Sequence, residues 1–177
     1  MSSSHLPPHL RRRGFLKLGI ASAVVLAVAG GAVALIKPGL VNGKTTPATR
    51  LVLTQVAQSM LAGSLPTDAT ERQRILDGMM ERADVFIAGL PNHVQAELSQ
   101  LFGLLATAAG RRGIVGISAS WESVSVDEMT AALVAMRASG TELRIQAYQG
   151  LHDLVCVPYF AGTESWALLS YPGPVAI

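Results

Sequence analysis

The body of this 177-residue chain is poor in the groups that carry chemistry. It has one cysteine, Cys156, so an internal disulfide framework is excluded. It has no HExxH, CxxC or CxxCH spacing for a metal or haem, no GxGxxG opening a helix and no Walker loop. Gly110, Gly113 and Gly116 are scattered, and four residues from Gly113 to Gly116 are too few to cradle a dinucleotide. Ser118, Ser120 and Ser123 lack a GxSxG context. No pair of carboxylates stands isolated among apolar neighbours, as acid–base catalysis needs. Asp127-Glu128 suits a helix start, while Glu122, Glu142 and Glu164 fall in loops or at helix starts and read as solvated. The expectation is a non-enzymatic chain with no cofactor of its own.

Acidic residues are missing from the first 50 positions, where seven of the 14 Lys and Arg lie. The formal charge of +2 therefore belongs to the leader. Beyond position 50, seven basic residues face twelve acidic ones, a net of −5. An acidic body is a poor nucleic-acid binder, so no nucleic-acid partner is expected.

What the N-terminus does have is an address. Arg12-Arg13-Gly14-Phe15-Leu16-Lys17 fits the twin-arginine export pattern, in which paired arginines precede Phe-Leu and Lys. Arg12, Arg13, Phe15, Leu16 and Lys17 are the candidate signal residues. The 19 uncharged residues Leu18 to Ile36 are Ala- and Gly-rich, and just long enough to span a bilayer as a helix. Small-x-small cleavage triplets at Ala27–Ala29 and Ala32–Ala34 lie inside the run. Either the leader is cleaved, or it stays as an inner-membrane anchor with Arg11 to Arg13 on the cytoplasmic side. Both outcomes place the body in the periplasm, after passage through the twin-arginine translocase. That route carries folded proteins, and the usual reason to fold first is a cofactor loaded in the cytoplasm. A chain with this passport and no visible cofactor machinery leaves two explanations, an unrecognised cofactor site or a partner that carries the cofactor and is exported with it, and the second is the sharper.

Residues 1–36 are thus signal or anchor, 37–49 a Pro/Gly-containing linker, and 50–177 a single helical domain. Three- and four-residue apolar spacing predicts five helices. The first runs from Arg50 to Ala62, with Gly63 at its end. The second opens after Pro66-Thr67-Asp68 and carries Ile75, Met79, Ala83, Phe86 and Ile87 inward, with Arg72, Arg74, Asp77, Glu81 and Arg82 on the wet side. The third is capped by Asn92 and ends near Gly110. Arg111 to Glu122 reads as loop. Ser125–Glu128 is a capping box for the fourth, and the fifth runs from Thr141 to Pro158. Short connections and no credible strand pair make the class all-α, a small bundle.

His152-Asp153 is the body's one His beside a carboxylate, and Tyr148, His152 and Cys156 share a helix face at four-residue spacing. A Cys–His pair without an orienting group or oxyanion site does not make a nucleophile, and two ligands do not close a zinc site. Cys156 is either a buried small hydrophobe or a bridge to a partner chain. Four of the nine aromatics, Tyr159, Phe160, Trp166 and Tyr171, fall in the last twenty residues. Pro158, Pro172 and Pro174 predict an extended, turn-rich tail there. That tail either wraps its own bundle or offers Cys156, Tyr159, Phe160, Trp166, Tyr171, Pro172 and Gly173 to a partner.

Gly150-Leu151-His152-Asp153, Tyr159-Phe160, Trp166 and Tyr171-Pro172-Gly173-Pro174 resemble the C-terminal end of the gluconate 2-dehydrogenase subunit 3-like family. These are the small, or gamma, subunits of membrane-associated flavin dehydrogenases. The chain departs from the family in having Ser170 where a glycine is usual, and it lacks a Gly-Gly-Asn stretch before the tryptophan. The likeness covers the leader and the last 25 or so residues, and the middle only as a pattern of helices. It implies a non-catalytic subunit that assists the folding and twin-arginine export of a large glucose–methanol–choline-type oxidoreductase and stays bound to it. FAD would reside in that partner, and a cytochrome subunit often takes the electrons. The alternative expectation is a free-standing, membrane-tethered periplasmic helical domain that binds a small apolar ligand.

Overall fold

The computed structural model describes residues 36–166 and 168–173. Arg12, Arg13, Phe15, Leu16, Lys17, Pro174 and the predicted anchor helix up to residue 35 lie outside the described residues. No helix among the described residues is long and apolar enough to cross a membrane.

The described chain is mostly α. A two-stranded hairpin, β1 (Leu40–Val41) and β2 (Lys44–Thr45), is followed by α1 (Pro47–Met60), α2 (Ala69–Ala88) and α3 (Asn92–Leu105). The single turn α4 (Ala108–Gly110) runs into a π-helical turn over Arg111–Val115, and α5 (Val126–Arg137) and α6 (Glu142–Phe160) complete the bundle. A 3-10 turn at Thr163–Ser165 begins the tail.

Segment 37–49 is folded, contrary to its reading as a linker. Asn42 and Gly43 take φ of 52° and 73°, the left-handed pair that a two-residue hairpin turn demands. Leu40 pairs with Thr45 and Val41 with Lys44. Gly39 lies so close to α3 that a Cβ there would collide with Phe102, and its amide donates to the Ser99 carbonyl at 2.9 Å. The first helix starts at Pro47 rather than Arg50, because Pro at N1 gives up no hydrogen bond and the Thr46 hydroxyl caps Thr49.

The Asp68 and Ser125 caps are present, accepting from the Glu71 and Glu128 amides. Asn92 does not cap α3. Pro91 occupies that position and makes no side-chain hydrogen bond. The third helix stops at Leu105, and the Thr107 hydroxyl starts the next turn by accepting from the Gly110 amide at 3.0 Å. Arg111–Val115 is a helical turn and not loop; Gly116, at φ 92°, ends it. Arg144 of α6 donates to the freed carbonyls of Ile114 and Val115, at 2.9 and 3.3 Å. The fourth predicted helix ends at Arg137, short of Gly140.

α6 packs on α1, α2 and α5, so it is the central stave of the bundle. Val52, Val56, Met79, Ile87, Phe102, Met136 and Leu151 are fully buried at its core. Leu76 and Met80 join the stripe expected on α2, while Phe86 is only half-buried. Trp121 plugs the end near α3 with its indole N–H on the Leu105 carbonyl, 2.9 Å away.

Candidate functional site

The last helix does not stop at Pro158. It continues to Phe160, with Pro158 inside it. Proline here forfeits one helical hydrogen bond, but Arg82 of α2 donates to the Pro158 carbonyl at 2.6 Å and ties the end down. Arg82 also pairs with Glu164, whose side chain is 17% exposed. Both residues were expected to face water. They instead clamp the tail onto α2, so the segment after α6 is a folded turn and not an extended strap.

This clamp divides the seven predicted interface residues. Tyr159 is buried at 1% exposure, and its hydroxyl donates to the Ser64 carbonyl at 2.9 Å. It is therefore a core residue. Its phenol is pushed above the ordinary tyrosine value, by burial first and by the Glu164 charge second. Phe160 stacks edge-on against Tyr159 with ring centroids 5.1 Å apart, yet remains 40% exposed. Trp166 and Tyr171 form a second edge-to-face pair, at 5.3 Å. Gly173, with φ 99°, lies against the Trp166 ring, and Pro172 is exposed. Ser170 takes φ 52°, the left-handed conformation in which a glycine would sit without strain.

Cys156 lies one helical turn before Phe160 on α6. With Tyr148 and His152 it faces a groove of about 280 Å³ between α6, α1 and α5, opposite Met60, Leu133 and Arg137. The Tyr148 and His152 rings lie 6.1 Å apart, and His152 Nδ1 is 3.1 Å from Asp153 Oδ1. Burial, then the Asp153 charge, pushes the Cys156 thiol up, away from the thiolate that nucleophilic or metal chemistry uses. Among the described residues, no three His, Cys, Asp or Glu side chains converge as metal ligands.

Comparison with protein-family models, curated proteins and solved structures finds no match to this chain.

The geometry therefore has to carry the reading of the site. Among the described residues nine large hydrophobic side chains are exposed, and five of them, Val157, Phe160, Leu168, Leu169 and Tyr171, belong to segment 157–171. Apolar exposure concentrated in one segment is what interaction surfaces show, whereas single scattered residues mean little. Val157, Leu168 and Leu169 escaped the sequence reading, which followed the aromatics together with Cys156, Pro172 and Gly173. The proline inside α6 was the misleading signal, because it suggested that the helix ended before Tyr159.

Proposed function

We propose that this chain is the non-catalytic small subunit of an exported flavin dehydrogenase. In this reading it assists the folding of a large, FAD-bearing glucose–methanol–choline-type oxidoreductase, accompanies it through the twin-arginine translocase and stays bound in the periplasm. The observation that carries the reading is the combination of an export pattern at Arg12-Arg13 with exposed apolar side chains gathered at 157–171. A subunit that travels with its enzyme needs the first as a ticket and the second as a grip. The grip is refined relative to the sequence: Phe160 and Tyr171 remain as aromatic anchors, Val157, Leu168 and Leu169 join them, and Tyr159 leaves for the core. Aromatic side chains held on backbone that is already folded lose little entropy on docking.

Full-length chain captured from its native host should bring down a large subunit whose absorbance spectrum is that of a flavin. A Phe160→Ser/Tyr171→Ser double variant should lose most of that subunit while keeping the helical circular-dichroism signal of the wild type. Capture of no flavoprotein by the wild-type chain, or undiminished capture by the double variant, would overturn the reading.

A further inference from the structure

The groove between α1, α5 and α6 is made of two unlike halves. Its floor is apolar, built from Met60, Leu133 and the half-buried Cys156. Arg137 is the one permanently charged residue in its lining; no carboxylate lines it, and the nearest on the α6 side is Asp153, which lies against His152 and whose charge reaches Cys156. Among the described residues Arg72, Arg111, Arg112, Arg137 and Arg144 have no ion-pair partner, and of these only Arg137 lines the groove. The neighbouring hydroxyls already satisfy each other: Thr130 donates to the Val126 carbonyl at 2.8 Å and lies 2.7 Å from the Ser59 hydroxyl. The lining residues left with polar capacity for a ligand are therefore Arg137, Tyr148 and His152.

We propose that this groove binds a short organic monocarboxylate, its apolar body on Met60, Leu133 and Cys156 and its carboxylate on Arg137. Guanidinium presents a planar fork of donors that matches a carboxylate in two parallel hydrogen bonds. Arg137 lies in the last turn of α5, where the helix dipole favours its cation, and it supplies one positive charge, which one carboxylate neutralises. At about 280 Å³ the groove falls just below the range of drug-sized clefts, which limits the body to a small ring or a short branched chain. No residue of segment 157–171 lines the groove, so the inference goes beyond the escort reading and does not depend on it. It also modifies the expectation of a purely apolar ligand: the body is apolar, the head is an acid.

Titration calorimetry on the full chain in uncharged-detergent micelles tests this with phenylacetate and isobutyrate against their neutral amides, which have nearly the same shape. At least one acid should bind saturably, and more tightly than its amide by about tenfold or more. Arg137→Gln, a change at an exposed side chain, should weaken that acid by a similar factor, whereas Arg112→Gln, outside the groove, should leave it unchanged. ¹³C-methyl methionine spectra should show the Met60 methyl moving in step with the heat. The inference is overturned if neither acid binds at millimolar concentrations, if acid and amide bind alike, or if Arg137→Gln binds as the wild type does.

Discussion

At the scale of single residues, the tail is held by polar side chains whose partners are far away in sequence. Tyr159 is the sharpest case, since a residue expected at an interface donates its hydroxyl to Ser64, 95 positions earlier. Tyr159→Phe keeps the ring and strands the carbonyl, which should cost about 1 kcal/mol in urea unfolding at neutral pH. The phenol also has a pH signature. Its folded-state pKa is raised by burial and by Glu164, so the folded protein holds the proton more tightly than the unfolded chain does. The stability this contributes is complete below the ordinary tyrosine pKa of about 10 and is lost as pH rises through the folded value. Cys156 is shifted in the same direction, so the comparison belongs in a Cys156→Ser background. There, Tyr159→Phe should flatten the alkaline loss of stability; an unchanged slope would mean that the phenol is already free in the folded state.

Among the elements, the hairpin shows most clearly how a polar group can recruit a segment that hydrophobicity does not. Asp84 of α2, 12% exposed, accepts from the Thr45 amide at 2.8 Å and the Thr45 hydroxyl at 2.6 Å, and pairs with Arg50. Asp84→Ala removes all three partners at once. It should destabilise the protein by about 2 kcal/mol, because charged hydrogen bonds are lost and a buried amide is left unmade. Amide exchange should speed up first at Thr45 and Gly39, while α5 and α6 keep their protection; uniform loss across the bundle would show that the hairpin is no separate unit. The sequence did contain a hairpin signal here, Asn42-Gly43 between Val41 and Lys44, but a two-residue strand on each side has no periodicity to detect. By contrast, α2 and α5 were legible, since each pairs a side-chain cap with a full apolar stripe. The π-helical turn was not, because its carbonyls are satisfied by Arg144, a residue from another helix. The site was half legible for the same reason. The aromatics and the shared face of Tyr148, His152 and Cys156 could be read from spacing, but the Arg82 clamp that sorts core from surface could not.

For the whole molecule, the question is what a folded, acidic body would gain from the proposed twin-arginine leader. The sequence reading expects the cofactor in a partner, and the body's hairpin, bundle and tail are fastened by side chains remote in sequence, so folding is a property of the entire domain. Such a body suits a route that accepts folded cargo, and the escort reading adds that one leader serves two chains. The test separates a carrier from a passenger. Arg12→Lys/Arg13→Lys keeps the leader's charge but removes both guanidinium forks, a change that is not conservative where a receptor reads them. In the native host this variant should keep the chain in the cytoplasm, and periplasmic flavin-dehydrogenase activity should fall by about tenfold or more with it. If the chain is retained while the flavin subunit still arrives in the periplasm at its normal level, the oxidoreductase holds an address of its own and the escort role fails. If both are retained, fusing the leader of this chain directly to the flavin subunit distinguishes transport from folding: restored arrival without restored activity would assign the remaining contribution to assembly on the 157–171 face.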